Sequence, residues 1–180
     1  MKNVSRWFLL LIIPIFIACE PEAPDLEACK RAIPPSSLNA TDREVIAVLL
    51  QNQWYNYVIS ETNEPVFESF QNTGWNIDSA TIKNANTRNI DVGFIGKNDF
   101  PEINIIRQFE YNCIGETLNI NMGQALHYVQ FSLPGYNNDS TQALVRRQDG
   151  SWEWFNSSCD MLLKKRNGVW QIERSLCIVQ

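Results

Sequence analysis

An α+β fold, with an N-terminal helix packed on an antiparallel β-meander in a single domain, is the class this sequence predicts. Three observations point to it. Thr41-Asp42-Arg43-Glu44 opens a run of apolar residues at helical spacing, Leu126 to Leu133 alternates between apolar and polar, and Asn167-Gly168 separates two strand-like runs.

In chain order, the first feature is not part of the fold. Met1 to Arg6 carries two cations, Lys2 and Arg6, and no acid, and Trp7 to Ala18 is apolar apart from Pro14. A charged start and a short apolar run are the two parts of a secretory signal. The run is too short to span a bilayer, which takes about 20 apolar residues. It ends in Phe16-Ile17-Ala18-Cys19, which resembles the lipobox of bacterial lipoproteins, with Phe16 in place of the commoner Leu. That resemblance implies cleavage before Cys19 and acylation of Cys19 by several chains, and more than one chain is what stable anchoring requires. Residues 1–18 are thus read as the signal, 19–38 as a lipid anchor and acidic, Pro-rich tether, and 39–180 as the globular domain. Glu20 after the cysteine resembles lipoproteins sent on to an outer membrane, facing the periplasm or the cell surface.

The helix begins with a capping box, the Thr41 hydroxyl and Glu44 carboxylate serving free backbone donors. Ile46, Leu50, Trp54 and Tyr57 continue one apolar face, with Leu49 beside it. Tyr57 to Ser60 has strand character. Asp78 can cap a short helix over Ala80, Ile82 and Ala85, although Asn84, Asn86 and Asn89 offer little periodicity. Ile90 to Ile95 reads as a strand and Asn98 to Pro101 as a turn. Leu126 to Leu133 is a half-buried strand with His127, Val129 and Phe131 on one side. Pro134 to Asp139 is a turn, Ala143 to Val145 a further strand, and Asn167-Gly168 the tip of a hairpin between Ser158–Lys165 and Val169–Ile178.

The run Tyr128 to Asn137, with Thr141-Gln142-Ala143-Leu144-Val145 and then Leu162 to Trp170, resembles a group of uncharacterised bacterial lipoproteins with a "FSRxGFNxDxTQALV" strand-turn-strand and a "LLxKKNGxW" hairpin. Leu133 and Tyr136 replace that group's usual Arg and Phe, and Trp152 to Asn156 replaces a glycine-rich cysteine segment. The resemblance supports fold and export and brings no activity or functional residues with it.

Loss of residues 1–18 from the 180 leaves 162, a length that suits one core. It also leaves 13 of the 15 cations against 20 acids, a net charge of −7. The basic residues are scattered, with no stripe for nucleic acid. Five cysteines less the lipidated one leave Cys29, Cys113, Cys159 and Cys177, an even number suited to an oxidising compartment. Sequence cannot choose among the three pairings. Cys159 and Cys177 flank the hairpin at similar distances from its turn, which makes them one plausible pair, with Cys29 and Cys113 the complement. The alternative is that some are small buried apolar residues.

Chemical motifs are sparse. His127 stands alone on an alternating strand, where a satisfied, half-buried histidine is the default over a zinc ligand or triad member. The sequence calls for no cofactor and no metal. Asp99, Glu102, Glu110 and Glu116 lie in polar segments where solvated carboxylates are expected. Asn137 to Ser140 offers oxygen ligands but lacks the spaced acids of a calcium loop, so a turn is the better reading. Trp152 and Trp154 project to one face if Trp152-Glu153-Trp154 is a strand, and could stack on a sugar or dock a partner. Packing over the sheet is the commoner role for such indoles. These features favour a non-catalytic module that binds an envelope protein or glycan. The rival is an extracytoplasmic hydrolase using dispersed carboxylates.

Overall fold

A computed structural model of the protein describes residues 25–51, 55–63, 65, 67, 74–122, 126–151 and 156–179. They form an α+β body. Its strands are β1 (Tyr57–Ile59), β2 (Ile105–Ile106), β3 (His127–Phe131), β4 (Gly135–Tyr136), β5 (Gln142–Ser151), β6 (Asn156–Arg166) and β7 (Val169–Val179). Its helices are α1 (Leu26–Cys29), α2 (Ala40–Leu50), α3 (Ser79–Arg88) and α4 (Gln108–Met122).

The strands make one sheet in the order β2-β1-β3-β5-β6-β7, with β4 paired to β5. From β3 onward the pairing is antiparallel, as the meander requires. β1 departs from that pattern and pairs in parallel with both β2 and β3. Parallel neighbours need a long crossover, and the chain between β1 and β3, which contains α3 and α4, supplies it. At the hairpin tip Asn167 and Gly168 both take positive φ, 52° and 80°, the conformation that matches the twist of the flanking strands.

Successive residues on a strand face opposite ways. Val58, Val129, Phe131, Val145 and Leu163 therefore point to one side, where Val45, Ile46 and Leu49 of α2 cover them. Tyr57, Ile59 and Tyr128 point to the other and meet Tyr111 of α4. The Tyr111 ring stands edge-on to Tyr57 and Tyr128, with centroids 6.1 and 4.8 Å away. Further along that second face, Leu144 packs with Ala85 and Ile82 of α3.

Several elements differ from the sequence reading. The box that caps α2 is Asn39 with Asp42, not Thr41 with Glu44: the Asn39 Oδ1 accepts from the Asp42 N–H, and the Asp42 Oδ2 accepts from the Asn39 N–H. Glu44 instead pairs with Lys165 of β6. The helix ends at Leu50, so Tyr57 belongs to β1 rather than to the helical stripe, and Trp54 lies outside the described residues. The expected strand over Ile90 to Ile95 is reduced to a single bridge between Glu61 and Phe94, with Ile90 and Val92 exposed. Pro134 to Asp139 is not all turn, since Gly135 and Tyr136 pair with Leu144 and Ala143. Sequence periodicity missed α4 altogether. Its Phe109 is exposed and Gly115 interrupts it, so no clean apolar stripe announces it.

The disulfides are Cys29–Cys113 and Cys159–Cys177. The second joins directly opposed residues of β6 and β7, and the first ties α1 to α4. Within the range read as tether, α1 and the buried Leu38 are therefore packed on the body.

Candidate functional site

The most distinctive local structure is the seam where α3 meets β4 and β5. Asp78 caps α3, as expected, through its carboxylate and the Ala80 N–H at 2.8 Å. Three amide side chains then fix the helix on the sheet. Gln142 accepts from the Asp78 N–H at 2.7 Å and donates to the Asn76 carbonyl at 3.0 Å. Asn89 donates to the Leu133 carbonyl at 2.9 Å and accepts from the Leu133 N–H at 2.7 Å. Asn84 accepts from the Tyr136 N–H at 2.9 Å. Gly135 allows the close approach, because a Cβ there would lie 2.3 Å from backbone atoms of Ala85.

A buried ion pair locks the seam to α2. The Asp42 side chain is fully buried, and Arg88 grips both of its oxygens at 2.7 and 2.8 Å. Tyr136 adds its hydroxyl at 2.9 Å, and the Asn39 N–H adds a fourth donor. Arg88 also donates to the Pro134 carbonyl. The bond to Asp42 holds the guanidinium above its usual range. Burial pushes the Tyr136 phenol well up, and the Asp42 charge adds to that shift. A carboxylate without water needs this complete set of partners, because an unpaired buried charge costs several kcal/mol, on the order of 3–5.

Above the seam opens a cleft of about 550 Å³. Lys83, Asn84, Thr87 and Arg88 of α3 form one wall, Tyr136, Asn137, Asn138 and Ser140 the other, and Asn39 and Ala80 close the ends. The second wall is pinned by Asn137, whose Oδ1 accepts from the Thr141 and Gln142 N–H groups at 2.9 Å each. This holds Ser140 at a φ of 54°, in the left-handed region. Asp139 lies in the same turn, with its carboxylate on the Thr141 hydroxyl at 2.6 Å and the Thr141 N–H at 3.1 Å. Those bonds, the hydroxyl's first, hold Asp139 below the usual carboxylate range. Asn137 to Ser140 is thus a turn, as read from the sequence. A second, more apolar cleft flanks the same helix and shares Lys83 and Thr87, with Ile82 and Ile90 in its wall.

Among the described residues, neither cleft is lined by a carboxylate. Of the acids singled out in the sequence, Glu102 and Glu116 are exposed and Glu110 is half-buried on α4. Asp99 corrects the solvated expectation. Its side chain is 5% exposed, paired with Arg43 at 2.7 Å and bonded to the Ser36 hydroxyl and the Gly96 N–H, because it anchors the segment before α2 to the loop after Phe94. His127 is half-buried. Cys29, Cys113, Cys159 and Cys177 are consumed in the disulfides. Cys19, Trp152 and Trp154 lie outside the described residues.

Sequence reasoning missed the cleft because it is lined mostly by polar side chains, four of them asparagines, which carry no periodic signal. The one available hint was the density of Asn on α3 facing a second Asn-rich turn. No protein-family model matches this chain, and no curated protein or solved structure matches it either.

Proposed function

We propose that the chain is a lipid-anchored envelope protein whose domain binds a ligand and does not transform it, with the cleft between α3 and the 137–140 turn as its binding site. The observation that carries this reading is the composition of the cleft: amides, hydroxyls, Lys83 and the Asp42-paired Arg88, with no pair of acids among the described residues to act on a substrate. Anchoring rests on the lipobox-like tetrad and acylation of Cys19, with delivery to the outer membrane following from Glu20. The two disulfides fit an oxidising, extracytoplasmic compartment. Partners of this kind are an envelope glycan or protein, and nucleic acid is disfavoured by the mature charge. Hydrolysis by dispersed carboxylates is the rival, and it needs two convergent acids in one pocket.

Binding is tested on the full chain in detergent micelles with an array of envelope oligosaccharides and peptidoglycan fragments. Thr87 is exposed and lines the cleft, so Thr87→Trp puts an indole into it at little cost to folding. Binding to a subset of the array that Thr87→Trp abolishes is the expected result. Turnover of any array member, or binding that Thr87→Trp leaves intact, would contradict the reading.

A further inference from the structure

Resting on that reading, we infer that the cleft selects an oxyanion: the ligand group it receives is a carboxylate or phosphate carried on a hydroxyl-rich scaffold. The argument comes from which ends of the amides are already spent. The Asn84 oxygen is held by the Tyr136 N–H and the Asn39 oxygen by the Asp42 N–H at 2.9 Å each. Since an amide has one acceptor end and one donor end, these bonds fix each side chain with its NH2 as the unspent group. Asn137 is fixed in the same sense, its oxygen taken by two backbone donors and its nitrogen by the Thr141 hydroxyl. What remains in the walls is therefore weighted toward donors.

Charge points the same way. Arg88 is neutralised by Asp42, and three of its five N–H donors are used in its bonds to Asp42 and Pro134. Lys83 has no ion-pair partner among the described residues, so its ammonium is the uncompensated charge of the cleft. Asp139 is the nearest competing anion in sequence, but it does not line the cleft and its Oδ1 is committed to Thr141. Among the described residues the concavity is donor-rich, with one unpaired cation and no lining carboxylate, and this favours an acceptor-only group, which is what an ionised carboxylate or phosphate is.

The test is a titration of the isotope-labelled full chain in micelles, read from the amide resonances of residues 83–88 and 137–140. The probes are galacturonate, its neutral counterpart galactose, and inorganic phosphate. Charge-assisted hydrogen bonds predict galacturonate binding about tenfold or more tighter than galactose. Lys83→Gln should remove most of that preference, while Lys97→Gln, on an exposed loop elsewhere, should leave it. Displacement of galacturonate by phosphate would identify a free anion as a sufficient ligand. Displacement in nanodiscs containing phosphatidic acid, and not in phosphatidylcholine alone, would identify a lipid headgroup as the source. Galactose binding as tightly as galacturonate would overturn the oxyanion inference while leaving the cleft a binding site. Silence of these resonances toward every probe in the series, together with no binding on the oligosaccharide array, would overturn both.

Discussion

Asp42 is held by four donors from Arg88, Tyr136 and Asn39, and the contributions of those donors differ. Arg88→Met leaves the carboxylate buried without its counter-charge, and urea unfolding should show a loss of about 3–5 kcal/mol. Tyr136→Phe removes one neutral donor from the same carboxylate and should cost about 1.5–3 kcal/mol, the worth of a hydrogen bond to a charged group. Equal losses for the two variants would show that the ion pair does not dominate the network. Tyr136 and Tyr111 also set a pH limit. Burial raises both phenols in the folded chain. The folded state therefore keeps protons that the unfolded state releases above about pH 10. Their stabilisation is complete below that value and is lost as pH rises beyond it, by up to about 1.4 kcal/mol per pH unit for each ring. Unfolding free energies measured from pH 9 to 11 should fall in this way, and more gently in Tyr111→Phe.

Among the elements, α3 is the one on which the candidate site depends. Gly135→Ala sets a Cβ against the backbone of Ala85, so a loss of about 1–3 kcal/mol is expected in thermal unfolding, with the cleft resonances shifted as α3 is displaced. An unchanged midpoint would mean that α3 does not sit this close. How much of this was legible in the sequence depended on the kind of contact each element makes. The β6–β7 hairpin was legible because Asn167-Gly168 encodes its turn locally, and α3 was legible at its start because Asp78 is a local cap. Its seating was not, because Asn84 and Asn89 act on backbone groups of Tyr136 and Leu133, 52 and 44 residues away. The same applies to α4, whose position depends on Cys113 meeting Cys29 and on Tyr111 meeting two strand tyrosines. The α2 cap was misplaced by two residues because Thr41-x-x-Glu44 and Asn39-x-x-Asp42 are both plausible boxes, and the choice is made by Arg88, far along the chain.

At the scale of the molecule the disulfides divide the work unequally. Cys29–Cys113 spans 84 residues and Cys159–Cys177 spans 18. Loop-closure entropy assigns about 4.5 kcal/mol to the first and about 3 kcal/mol to the second. The Cys29→Ser, Cys113→Ser pair should thus lower the urea midpoint more than the Cys159→Ser, Cys177→Ser pair, and the reverse order would contradict this account. The even count of cysteines left after Cys19 made two disulfides expected from the sequence, and both are present. The cleft was not readable, because it is assembled from Asn39, α3 and the 137–140 turn, three segments with no common motif.

The account stands or falls on an exported, acylated chain that presents an oxidised binding domain at a membrane surface. Intact-mass and peptide analysis of the chain purified from membranes tests this most directly. The predicted species lacks residues 1–18, begins at an acylated Cys19 and holds its other four cysteines as two disulfides. A chain that keeps its leader, bears no lipid and carries reduced thiols would contradict it.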